Sequence, residues 1–308
     1  MATEQHRRDL GGTRPVTDPS GATSVAAATR ASSAGGGGDA VLRLRGAGVS
    51  FGARTLWSGL DLDVRPGEFV AVLGPNGAGK TTMLRTILGQ QQLTDGSIEF
   101  LGRPVGRGHR RIGYVPQQRL MESGTPLRAR DMIALGVTGH RWGPRRESPA
   151  ERARIDTLVR EVGATSFASS PVASLSGGEQ QRTRVGQALA AEPALLLCDE
   201  PLISLDLRHQ REVTRLIDEQ RRARNAAVVF VTHDVNPILD VVDRVLYLAG
   251  GRFRIGTPDE VLRADVLSDL YGTPVDVIRT MGRVVIVGSH DGHDHHVDEH
   301  PGDEGLVR

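Results

Sequence analysis

The stretch "GPNGAGKTT", residues 74–82, constrains the fold more than any other part of the chain. Gly74, Gly77 and Gly79 let a backbone close into a tight concave turn. The run before it, "FVAVLG", is short, apolar and ends in glycine, as a buried parallel strand does. A helix is expected from Gly79 onward, and a strand, turn and helix in that order begin a parallel α/β sheet. The spacing is G-x-x-x-x-G-K-[ST], in which consecutive backbone N–H groups point inward and cradle phosphate. Pro75, Asn76, Ala78 and Thr82 complete the loop, and the helix aims its positive end at the same point. Lys80, the only lysine in the chain, is placed to reach the β and γ phosphates of a nucleotide. The Thr81 hydroxyl is placed to ligate Mg²⁺.

The rest of the chain supplies the remaining layers. "VLRLRGAGVSF" and "LDLDV" alternate like strands before the turn "RPGE". Between about residues 120 and 175 the pattern becomes helical, with "LRARDMIALGV" and "PAERARIDTLVREVGA". Then "ALLLCDE" reads as a strand, "LRHQREVTRLIDEQRRA" as a helix, "AAVVFVTH" as a strand and "NPILDVV" as a helix. Two hairpins follow, "DRVLYLAGGRFRIG" and "PVDVIRTMGRVVIVG". This is a doubly wound α/β core interrupted by a helical insert.

Residues 1–39 are rich in Gly, Ala, Ser and Thr and are expected to be disordered, because they cannot bury enough apolar surface to offset chain entropy. Their opening lacks the apolar core of a secretory signal. No apolar run reaches the roughly 18–20 residues that span a bilayer, so any membrane role is expected to come through a partner. Cys198 is the one cysteine, which excludes a disulfide framework and fits a reducing cytosol. The 38 basic and 37 acidic residues balance, leaving no electrostatic footprint for nucleic acid.

An acidic pair completes the expected site. Asp199 and Glu200 close the strand "ALLLCDE", where Asp199 can hold Mg²⁺ and Glu200 can polarise an attacking water. His233 closes the strand "VVFVTH" at the carboxyl edge of the same sheet, where α/β ligands bind. Further on, Ser176, Gly177 and Gly178 in "SLSGGEQQR" open a helix and offer a second anion site. One chain with two phosphate cradles makes sense if the second caps nucleotide held by another copy.

With these motifs in this order, the chain between about residues 41 and 256 resembles the ATP-binding subunit of an ABC transporter. The resemblance implies a P-loop NTPase with a RecA-like parallel-sheet core, an antiparallel β subdomain and an inserted helical subdomain. The divisions it suggests are an ATP-binding domain over residues 40–272, its helical part near 120–178, a C-terminal hairpin over 273–288 and a tail over 289–308. It implies that Phe51 stacks on adenine and that Gln117, in "GYVPQQ", contacts Mg²⁺ and couples to a membrane partner. Lys80, Asp199, Glu200 and His233 take the Walker A lysine, Walker B, catalytic-base and switch positions. Ser176, Gly177, Gly178, Glu179 and Gln180 form the signature, and Asp206 is the D-loop aspartate. Ile203 departs from the small or hydroxyl residue usual in that loop. Two copies are implied to sandwich ATP head to tail.

The same resemblance implies an integral membrane permease, docked on residues 125–137, "TPLRARDMIALGV", which open with Thr125 and close with Val137. It implies an extracytoplasmic solute-binding protein and a place at the cytoplasmic face of the membrane. The C-terminal segments resemble the zinc/manganese branch of metal-ion importers. The tail "HDGHDHHVDEH" supplies His290, His293, His295, His296 and His300, ligands of the type Zn²⁺ accepts for weak binding, though nothing in it forms a fixed cage. Chelated iron or another solute, and a soluble ABC ATPase outside transport, are the competing readings.

Overall fold

The computed structural model describes residues 40–117, 127–139 and 146–288. The N-terminal extension, the first residues of the expected permease-docking segment and the histidine tail lie outside the described residues.

The longest strands come first. β1 (Leu42–Phe51) and β2 (Arg54–Val64) pair antiparallel, and β4 (Asp95–Phe100) joins β1 on its other edge, followed by the short β5 (Arg103–Pro104). The second sheet has the order β10-β9-β3-β8-β7-β6, from β3 (Phe69–Leu73), β6 (Ile112–Val115), β7 (Leu195–Asp199), β8 (Ala227–Val231), β9 (Arg244–Ala249) and β10 (Arg252–Gly256). All of its pairs are parallel except the β9–β10 hairpin. β11 (Val275–Thr280) and β12 (Arg283–Gly288) form a separate hairpin.

Side-chain alternation explains why the central strands read as unbroken apolar runs. Phe69, Ala71, Leu196, Cys198, Val228 and Phe230 face one core, while Val70, Val72, Leu195, Leu197, Val229 and Val231 face the other. The first core takes α2 (Ala129–Thr138), α3 (Pro149–Glu161), α4 (Gly177–Leu189) and α5 (Leu207–Arg224), with α6 (Pro258–Val261) and α7 (Ala264–Tyr271). The second takes α1 (Lys80–Ile87) and the antiparallel sheet, through Met83, Leu84, Trp57 and Leu62. The expected architecture, parallel core, antiparallel sheet and helical insert, is therefore present.

Buried charge is placed with care. Arg221 of α5, only 7% exposed, donates to Gly67 O at 2.6 Å, Asp243 Oδ2 at 2.8 Å and Asp218 Oδ1 at 2.9 Å. Removing one partner of such a network costs about 3–5 kcal/mol, against about 0.2–1 for an exposed pair such as Arg208–Glu212.

One element differs from expectation. "NPILDVV" is not a helix; it makes a single 3₁₀ turn over Asn236–Ile238. Asp234 Oδ1 takes both the backbone and side-chain N–H of Asn236, and Pro237 has no N–H to continue a ladder.

Candidate nucleotide site

The phosphate loop hangs between β3 and α1, and its glycines are obligatory at two points. Gly74 has φ 139°, and a Cβ there would lie 2.0 Å from Leu248 O. Gly79 caps α1 at φ 97°, with its missing Cβ 3.0 Å from the buried Trp57 ring. α1 carries no acidic residue of its own in its first turn to offset its positive end.

Lys80 lies across this loop. Its Nζ donates to Gly74 O at 2.7 Å and Pro75 O at 3.0 Å, and its burial holds the ammonium below the ordinary lysine range, against the pull of Glu200 and Asp199. Thr81 Oγ1 donates to Asp199 Oδ1 at 3.4 Å. Burial lifts the Asp199 carboxyl above the usual carboxylate range, opposed by the hydrogen bond that Tyr114 OH donates to Oδ2 at 3.3 Å. Asn76, Gly77, Gly79, Lys80, Thr81, Thr82 and Glu200, with Leu56, line one cleft of about 290 Å³.

Glu200 follows β7 at φ 45°, an unfavourable value for a residue with a Cβ, held by its N–H to Val231 O at 2.9 Å. His233 follows β8, and its Nδ1 stands 3.8 Å from Glu200 Oε2. The two share a smaller cavity of about 100 Å³ with Leu202, Ile203, Ser204 and Gln210. The structure thus brings together the loop residues, Asp199, Glu200 and His233 at the carboxyl edge of one sheet.

Other expected residues stand apart from that cleft. Phe51 is half exposed at the end of β1, and Gln117 is exposed two residues past β6. Ser176 caps α4, accepting from Glu179 N at 3.4 Å, while Glu179 Oε2 accepts from Ser176 N at 2.9 Å and Ser176 Oγ at 2.8 Å. The Ser176 hydroxyl holds the Glu179 carboxyl below its ordinary range. Gly177 is half-buried and Gly178 buried beneath the His209 ring, where a Cβ would come within 2.5 Å. Gln180 is buried and donates to Leu175 O at 3.1 Å, so its side chain supports the turn. Asp206 caps α5 by accepting from His209 N at 2.9 Å, and its Oδ2 lies 2.8 Å from His209 Nδ1. None of residues 176–180 or 206 lines the Lys80 cleft.

Three residues of the site escape sequence reasoning. Tyr114 is betrayed only by its place in "GYVPQQ", one face of a strand ending beside β7. Arg54 Nη2 donates to Gly77 O at 3.0 Å, and His209 joins Asp206 to Gly178; neither has a sequence signal beyond proximity. Among the described residues no cluster of metal-ligating side chains is present, and no helix is long and apolar enough to cross a membrane.

Comparison with known proteins identifies the family. A family model described as ABC transporter matches residues 57–203. The zinc import ATP-binding protein ZnuC of Pseudomonas putida is 33% identical over 257 residues, 83% of this chain and 91% of that protein. The hemin import ATP-binding protein HmuV of Streptomyces coelicolor is 35% identical over 246 residues, 78% of this chain and 86% of that one. The sulfate/thiosulfate import ATP-binding protein CysA of Photorhabdus laumondii is 39% identical over 220 residues, 69% of this chain but only 59% of that longer protein. A solved structure assigned to the metal-chelate type of ABC transporter, inward-facing, superposes with a TM-score of 0.69 at 26% identity, covering 82% of this chain and 98% of that chain. This likeness to import ATP-binding proteins over most of the chain, on a shared fold, makes the chain a member of the ABC transporter ATP-binding family, whose subunits are ATPases.

Proposed function

We propose that this ATPase energises import across a membrane and that its cargo is a divalent metal ion, zinc or manganese. The observation that carries the enzymatic part is the convergence of Lys80, Thr81 and Glu200 on one cleft, with Asp199 3.4 Å from Thr81. The cargo is supported by likeness to ZnuC over most of both chains. Similar identity to HmuV and CysA favours a second reading, in which the same enzyme serves chelated iron or a small oxyanion.

ATP is the substrate. Its phosphates occupy the loop of residues 74–82, and Lys80 exchanges the Gly74 and Pro75 carbonyls for β and γ oxygens. The cradle fits Mg²⁺, because the Thr81 hydroxyl and the Asp199 carboxylate already converge. Thr81, Asp199 and Gln117 would hold the ion, which when bound screens the charge between the phosphate oxygens. Glu200 takes the proton of the attacking water, and His233 contacts the γ-phosphate. Phe51 stacks on adenine.

Ser176, Gly177 and Gly178 serve the nucleotide of a second copy, because their helix start does not line their own chain's cleft. Glu179 fixes the Ser176 hydroxyl, Gln180 braces the turn beneath, and Asp206 sets the neighbouring loop. The permease receives residues 125–137, an extracytoplasmic protein delivers the solute, and the complex sits at the cytoplasmic face. The tail histidines His290, His293, His295, His296 and His300 bind metal weakly.

Uptake in vesicles holding the chain with its permease tests the cargo, with zinc, manganese, sulfate and hemin offered separately. Zinc or manganese accumulation above a Lys80→Ala control is expected. ATP-dependent uptake of sulfate or hemin alone would overturn the metal reading and leave the enzymatic one standing.

A further inference from the structure

The hairpin β11–β12 has no part in the nucleotide chemistry, yet it is fastened to the turn that carries His233. Within that turn, Thr232 Oγ1 donates to Asp234 O at 2.9 Å and accepts from Asp234 N at 3.1 Å. Asp234 Oδ1 then accepts from Asn236 N at 2.9 Å and Asn236 Nδ2 at 2.8 Å. The Asn236 amide continues into the hairpin. Its Nδ2 donates to Val284 O at 3.0 Å, and its Oδ1 accepts from Val284 N at 2.8 Å. Both amide hydrogens and the carbonyl oxygen are engaged.

An antiparallel pair leaves the N–H and C=O of every second residue on its outer edge. At Val284 those groups meet an asparagine side chain arranged as another strand's backbone would be. The hairpin is itself well seated: Val275 and Val284 are each 4% exposed, and Arg279 pairs with Asp259 at 2.9 Å. Ser268 Oγ also accepts from Val275 N at 2.9 Å.

His233 has little packing of its own, since 58% of its side chain is exposed. Its position is set by backbone tied at both ends, upstream where Thr232 N donates to Val72 O at 3.2 Å and downstream at Asn236.

We propose that Asn236 is a positioning residue for hydrolysis and that the hairpin edge at Val284 is its anchor. The inference rests on the reading of His233 as the γ-phosphate contact. Loosening the clamp slows hydrolysis and spares nucleotide binding, because the phosphate loop hangs from β3 and α1 instead.

The test uses the full chain and compares kcat, KM, affinity for a fluorescent ATP analogue and Tm. Asn236→Ala removes both links, and Asn236→Asp keeps the shape but sets an oxygen against Val284 O. Each should lower kcat about ten-fold, with KM and nucleotide affinity changed less than about two-fold. Val284→Pro removes the hairpin-side donor, leaves Asn236 intact and should do the same; it decides the matter if the Asn236 variants do not fold. Combining Asn236→Ala with His233→Ala should be no slower than His233→Ala alone, because one acts through the other. A folded Asn236→Ala protein with parental kcat, or losses that multiply in the double variant, would overturn the clamp. If His233→Ala itself keeps the parental rate, the reading of His233 falls and takes the clamp with it.

Discussion

Gly74 shows how little freedom the phosphate loop has. A methyl group there would meet the Leu248 carbonyl, which is backbone in the central sheet and cannot swing away. Gly74→Ala is expected to destabilise the chain by more than about 3 kcal/mol and to abolish ATP binding. Gly77→Ala meets only the flexible end of Arg54 at 3.4 Å, so its left-handed φ of 78° should cost about 1–2 kcal/mol. Chemical denaturation with an ATP titration separates the two, and equal losses would refute the argument. The glycine spacing made this loop legible in the sequence. Asn236 was not, because "NPILDVV" reads as the start of a helix, and its partner Val284 lies 48 residues away.

Elements were readable where periodicity was strong and long. β3, β7 and β8 stand out as apolar runs, and α5 as a helix with a polar outer face. β4 and β6 did not, because "DGSIEF" opens on turn residues and "IGYV" has only four residues. The insert depends on a tie the pattern could not show. Arg130 of α2 holds both oxygens of Glu147 at 2.9 Å, and its Nε reaches Asp156 of α3 at 3.4 Å. The Arg130 guanidinium holds the Glu147 carboxyl below its usual value of 4.5. The folded form thus binds that proton less readily than the unfolded chain. The pair's stability is complete above the usual value and is lost as pH falls through the lowered one. Glu147→Gln should therefore cost about 0.5–1.5 kcal/mol at neutral pH, in urea denaturation, and the difference should close in the acid range. A gap of the same size at both pH values would remove the ion pair as its cause.

At the scale of the whole molecule, residues 176–180 do not line the Lys80 cleft, and the proposed reading has them complete the cleft of a second copy. With Glu200→Gln, hydrolysis should fall about 10²- to 10³-fold while ATP remains bound. That variant should sediment as a dimer in ATP and as a monomer in ADP; a monomer in both would sink the shared-site reading. The surface has its own consistency. Apart from Lys80, every Lys or Arg charge is a guanidinium, which alkali does not discharge in any range where proteins survive. The ion pairs that brace the fold therefore outlast rising pH. The one ε-ammonium sits in the phosphate cradle, already below its ordinary range through burial. If Lys80 grips phosphate as proposed, rising pH is expected to weaken that grip before it loosens the guanidinium pairs around it.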